Sequence, residues 1–148
     1  SGEAWFRRCE RESRMSKQNV ELIRGMYAAF AAGDVAGVLG RMSPNIVWNE
    51  AENFPYADGN PYIGPEAVAK GVFARCVGEW DGFAVVAQEI LDAGETVVAR
   101  GRYRGTYKAT GHAQNTQFVH FWRIADGKVT QFQQHADTLQ VARVTGGK

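Results

Sequence analysis

The sequence is poor in most of the residues that announce a specialised chemistry. It has two cysteines, Cys9 and Cys76, which stand far apart and match no metal-ligand spacing. Cys76 falls inside an apolar helical pattern, as a small buried thiol does, and a reducing, cytoplasmic setting is expected. The three histidines form no i, i+4 pair on a helix, so no metal centre is expected either. A GxSxG elbow and a phosphate-cradling glycine loop are both missing, and no cofactor is expected. No apolar run is long enough to cross a bilayer and no signal-peptide pattern is present, so no membrane role is expected. An excess of one charge is lacking too. Seventeen Lys and Arg against sixteen Asp and Glu leave a net charge of +1, and nothing draws the chain to nucleic acid.

What remains is an ordinary globular composition, 45% hydrophobic and 22% charged over 148 residues, which suits one domain with a real core. Residues 1–14 are charge-rich without sustained periodicity. They are expected to be an N-terminal extension, added to the native chain or disordered, with Met15 as a native start and one domain over 15–148. Ser16 is then the N-cap of a helix whose apolar stripe is Val20, Ile23, Tyr27 and Phe30, with Met26 beside it and Gly33 ending it. Asp34 caps a short second helix that Ser43-Pro44 stops. A strand over Ile46–Asn49 enters a loop, and a third helix starts at Pro65 with Val68, Val72, Phe73 and Cys76 inward. Four alternating segments follow, Phe83–Leu91, Thr96–Lys108, Thr116–Ile124 and Lys128–Ala136, joined by tight glycine-bearing turns. Gly101 and Gly105 offer places for bulges in unusually long strands. A last helix spans Thr138–Val144. The sum predicts an α+β fold, a curved antiparallel sheet wrapped around three helices, a cone whose open end is a pocket.

Carboxylates and rings are interleaved in "NIVWNEAENFPYADGNPYIGPEAV". Glu50 beside Trp48 and Tyr62 is expected to line an apolar cavity, where desolvation makes it a useful acid or base near neutral pH; Glu52 reads as a solvated loop acid. His120 alternates with Phe118, Trp122 and Ile124, one imidazole in an apolar row. His135, Asp137, Gln133 and Gln131 share one face of the last strand. The other row (Thr130, Phe132, Gln134, Ala136) is not convincingly apolar, so alternation leaves open which face is buried. Asp137 is also placed to cap the final helix. His112 lies in a polar hairpin end and is expected in solvent. Arg100, Arg102 and Arg104 alternate opposite Tyr103 and Val97, as on an outer surface.

Four motifs carry a resemblance: "YAAFAAGDVAGV", "NIVWNEA" with "GPEAV", "FVHFWRIADGKV" and "FQQHADTLQV", together spanning roughly Val20 to Val144. In this order they resemble the nuclear-transport-factor-2-like superfamily, most closely its SnoaL-like polyketide cyclase and ketosteroid isomerase branch. The resemblance implies a general base at Glu50, an oxyanion-holding group near His120 with a one-residue offset, and an acid of the SnoaL kind at Asp137. The isomerases' oxyanion tyrosine falls on Met26, with Tyr27 adjacent and turned aside.

The expected activity is cofactor-independent proton transfer next to a carbonyl of a small apolar substrate, as in an isomerase or cyclase. Asp137 or Glu50 is the base, and His120 holds the enolate oxygen or relays the proton. Trp48, Tyr62, Tyr27, Phe118, Trp122, His135 and Gln133 are expected to bind the substrate. The alternative is a non-catalytic small-molecule-binding domain of the same fold. A third reading is a purely structural dimerising module: Val119, Phe121 and Arg123 lie opposite His120, so a homodimer through the outer sheet is expected, and it is compatible with all three.

Overall fold

The computed structural model describes residues 1–147; Lys148, the end of the expected domain, lies outside the described residues. Helix α1 (Gly2–Ala31) is followed by α2 (Val35–Leu39), β1 (Met42–Asn49), a 3₁₀ turn (Pro55–Gly59) and β2 (Tyr62–Ile63). Then come α3 (Pro65–Val68), a π-helical turn (Ala69–Phe73) and α4 (Ala74–Glu79) in unbroken succession. Strands β3 (Trp80–Ala93), β4 (Thr96–Tyr107), β5 (Ala113–Ala125) and β6 (Lys128–Ala136) form a meander, and α5 (Thr138–Thr145) closes the chain.

Residues 2–14 differ from the expectation of disorder and continue α1 without a break. Their order is local. Glu3 pairs with Arg7 at 3.4 Å and Arg8 with Glu12 at 2.9 Å, and such i, i+4 pairs support a helix without a hydrophobic period. All are exposed, and Ser16 sits mid-helix rather than capping it. The second half of α1 buries Ile23, Met26 and Ala29. Gly33 leaves the helix with φ +71°, and Asp34 caps α2 by accepting from the Gly37 N–H at 2.9 Å. Ser43 and Pro44 do not stop a helix; they already belong to β1.

The strand order is β2-β1-β6-β5-β4-β3. The meander is antiparallel as expected, but β1 pairs with β6 in parallel, so the sheet is mixed. The reason is topological: helices carry the chain from β1 to the far edge, and the meander returns to deliver β6 beside β1 in the same direction. Strand β3 bulges twice, opposite Arg100–Gly101 and around Gly105. A Cβ at Gly101 would strike the Val86 carbonyl, and Gly105 has φ +140°, so both positions need glycine. These irregularities coil the sheet around the helices. Along β5 burial alternates strictly inward through Thr116, Phe118, His120, Trp122 and Ile124. Among the described residues no helix is long and apolar enough to cross a membrane.

Candidate functional site

The concave face of the sheet, α1 and the α3–α4 segment line a narrow cavity, part of it open to solvent. Its walls are largely aromatic, with Tyr27, Trp48, Phe73, Tyr103, Trp122 and Phe132 among them. Trp48 stacks on Phe132 at 3.7 Å between ring centroids and meets Trp122 edge-on at 5.7 Å. Into this apolar wall the chain places Glu50, His120 and Gln134.

Glu50 is the first residue past β1 and only 3% exposed. One side chain holds its peptide. Asn60 Oδ1 accepts from the Glu50 N–H at 2.9 Å, and Asn60 Nδ2 donates to the Glu50 carbonyl at 2.8 Å. The next N–H, of Ala51, donates to Gln134 Oε1 at 3.0 Å. The carboxyl group itself is less well served, for its Oε2 has no hydrogen-bond partner. Burial pushes its pKa up from 4.5 to about 8, against smaller opposing pulls from the Trp48 indole and the Arg75 guanidinium. The Trp48 Nε1 hydrogen stands near enough to favour the ionised form but completes no hydrogen bond. An unused acceptor and an unused donor thus share one wall.

His120 occupies the centre of a chain of hydrogen bonds. Its Nδ1 meets the Tyr27 hydroxyl at 2.7 Å and its Nε2 the Tyr103 hydroxyl at 2.5 Å. Trp122 Nε1 donates to Tyr27 at 2.9 Å, and Gln134 Nε2 donates to Tyr103 at 2.8 Å. The amide of Gln134 is oriented by Ala51, because a backbone N–H requires an oxygen. Burial pushes His120 down from 6.5 to about 3 and both phenols up, so at neutral pH the imidazole carries one hydrogen and each phenol one. Three hydrogens therefore serve two contacts, Tyr27–His120 and His120–Tyr103. Whichever imidazole tautomer is present, one tyrosine hydroxyl keeps a hydrogen for another acceptor. Both tyrosines line the cavity.

The other expected residues divide. Tyr27 and Met26 both line the cavity, so Tyr27 is not turned aside. Phe118 lies behind the wall, stacked on His120 at 4.0 Å and on Tyr103 at 4.6 Å. Tyr62 is buried outside it and donates to the Tyr56 carbonyl at 2.7 Å. Asp137, expected in the pocket, is exposed and caps α5 by accepting from the Gln140 N–H at 3.2 Å. His135 is exposed on the outer face against Phe121, with ring centroids 5.7 Å apart, and Gln133 also lies outside the cavity wall. The correction has one cause: the inner row of β6 is Phe132 and Gln134, which packs Phe132 under Trp48 and turns the other row outward. Gln134, Tyr103 and Asn60 join the site without having been named for it. The outward arginines of β4 signalled Tyr103, whereas nothing in the sequence signalled Asn60. His112 is exposed as expected. Among the described residues no group of three or more His, Cys, Asp or Glu could hold a metal.

No curated protein matches the sequence. Among solved structures, an NTF2-like protein from Burkholderia thailandensis is 36% identical with a TM-score of 0.81, covering 84% of this chain and 95% of its own. TerC, co-crystallised with polyporic acid, is 27% identical with a TM-score of 0.78, covering 88% and 99%. A candidate SnoaL-like polyketide cyclase from Jannaschia, 19% identical with a TM-score of 0.76 over 90% and 96%, shares the fold. The model of the SnoaL-like domain matches residues 23–132, from the buried half of α1 to the inner row of β6. By that match the chain belongs to the SnoaL-like domain family.

Proposed function

We propose that this chain is a cofactor-independent acid–base enzyme acting on a small, largely apolar carbonyl compound. One observation carries the reading: a buried carboxyl group with an unpartnered oxygen shares an aromatic cavity with a hydroxyl hydrogen left over from the Tyr27–His120–Tyr103 chain. Ionised Glu50 takes a proton from the carbon next to the carbonyl. The spare tyrosine hydroxyl donates to the oxygen on which charge develops, in a site walled mostly by carbon. His120 orients the two phenols and stays neutral. The proton returns to the same or a neighbouring carbon, or the carbanion closes a ring. With a pKa of about 8, only a minority of Glu50 is ionised at neutral pH, so the rate rises with pH up to that value.

The second reading, a binding domain without chemistry, is favoured by that same protonation state, since Glu50 then serves as a neutral donor and anchor. Its relative TerC was crystallised with an organic acid. A homodimer through the outer sheet, where Phe121 and Val86 are exposed, is compatible with both; sedimentation velocity tests it.

One experiment separates the readings. Proton NMR in deuterium oxide follows exchange of the hydrogens next to the carbonyl across a panel of neutral aryl and alkyl ketones. The enzyme reading expects exchange that Glu50→Gln lowers by about 10²-fold or more. Ketones that bind without accelerated exchange leave the binding domain.

A further inference from the structure

The aromatic cavity is not the end of the apolar space. A second concavity, about 660 Å³ including open solvent, lies between the end of α1, α2, α4 and the start of β3. It shares Phe30, Val38, Phe73, Cys76 and Phe83 with the inner cavity. The partition between the two is therefore one layer of side chains. Its rings meet edge-on, Phe30 with Phe73 at 5.5 Å and with Phe83 at 6.4 Å. Phe73 ends the π-helical turn, and such turns re-aim side chains within a helix. The three rings are only partly buried, whereas Trp48, Tyr103, Trp122 and Phe132 behind them are buried. On the solvent side the rim carries Val35, 51% exposed, and Val77, 70% exposed. Both side chains are left largely in solvent. No charged side chain lines this outer concavity.

We infer that the outer concavity is the tail site for the same ligand whose polar head the inner cavity holds. This rests on the functional reading above and narrows it: the ligand is amphiphilic, with one hydrogen-bond acceptor at the head and an uncharged hydrocarbon portion passing Phe30, Phe73 and Phe83 to lie against Val35 and Val77. The head end offers the unpartnered Glu50 oxygen, the Trp48 N–H and the spare hydroxyl. Between head and rim the shared wall offers carbon and one thiol. Two spaces divided only by a shared wall of partly buried rings, with polar groups at the inner end and exposed aliphatic carbon at the outer, are the pattern a single-headed amphiphile fits once those rings turn aside. A compact ligand such as a benzene-sized ketone fills the inner space and leaves Val35 and Val77 in water. A tailed one covers them.

The test is a series of methyl ketones from butyl to nonyl, with Kd measured by quenching of tryptophan fluorescence or by calorimetry on the full chain. Each methylene that enters apolar surroundings tightens binding about fourfold, and the wild-type gain is expected to continue to the end of the series. The double variant V35D/V77D changes only exposed side chains. It is expected to bind butyl methyl ketone like the wild type and to lose tenfold or more on the nonyl member. A wild-type series that levels off midway overturns the tail site, as does a variant that weakens all members equally or none. Those outcomes leave the inner site standing. Failure of every ketone to bind, the butyl member included, removes the inner site and the tail site together.

Discussion

Strands β1 and β6 run side by side in the same direction, and each delivers an acid just beyond its last residue. Asp137, after β6, meets donors: the Gln140 N–H at 3.2 Å and the Gln140 side-chain amide at 3.4 Å. Glu50, after β1, meets rings, and one of its oxygens meets nothing. Position begins the separation: the register sets Asn49 beside Gln133, so Glu50 stands level with the buried Gln134, whereas Asp137 lies three residues further on, in the outward row of β6. Their surroundings complete it. A carboxylate given N–H donors at a helix start becomes a cap, and one given apolar walls keeps its proton and its reactivity.

The sharpest way to break this contrast is to remove each charge. Glu50→Gln is expected to lower the exchange rate by about 10² to 10⁴, the range a positioned base supplies. Asp137→Asn is expected to leave it within about threefold, and equal losses in the two would put Asp137 back in the mechanism. Next come the donors. Because the spare hydrogen can reside on either phenol, Tyr27→Phe and Tyr103→Phe are each expected to cost less than the double variant, which loses about 10² to 10³ in rate. Additive losses would show that the two hydroxyls do not share one hydrogen.

Stability sharpens the comparison further. Glu50 keeps its proton to about pH 8 in the fold but to 4.5 when unfolded, so the native state binds the extra proton and stability falls as pH rises through that window. His120 is the opposite case, with a folded pKa of about 3 against 6.5, so its contribution is lost as pH falls from 6.5 toward 3. Between pH 4.5 and 6.5 the two slopes oppose each other, which predicts a plateau with a flank on either side. Each flank has a slope of up to about 1.4 kcal/mol per pH unit. Urea unfolding at several pH values should show the alkaline flank vanish in Glu50→Gln; a flank that survives there has another origin. The smallest effect belongs to the cap. Asp137→Ala is expected to cost about 1 kcal/mol of stability and to leave the Glu50 titration in place. Asn60→Ala, which frees the Glu50 peptide, is expected to move that titration toward 4.5, readable by carboxyl-carbon NMR.

The fold was legible because periodicity reports it directly: helical spacing up to Cys76, alternation after Gly82, and glycine-bearing turns between strands. The parallel neighbour of β1 was not, since pairing across the chain leaves no local trace. In the site, Glu50 and His120 stood out as polar residues amid apolar ones, and the cavity holds both. The face of β6 was misjudged for an equally physical reason. Glutamines occupy both rows, and only the fit of Phe132 under Trp48 decides which row turns inward. Gln134 then enters the site by the register of that packing, a property of two strands rather than one.

The parallel pairing also gives the site a place in time. Asn49 and its partner Gln133 are 84 residues apart in sequence, whereas β3, β4, β5 and β6 each pair with the strand made just before or after. Close pairings form first because their loops cost less entropy to close. The hairpins are thus expected to assemble ahead of the β1–β6 contact, and the Ala51–Gln134 bond beside Glu50 can form only with it. A nascent chain that ends before β6 is expected to leave Glu50 in water, with an ordinary affinity for protons, so the buried carboxyl group takes on its raised pKa only with the last strand.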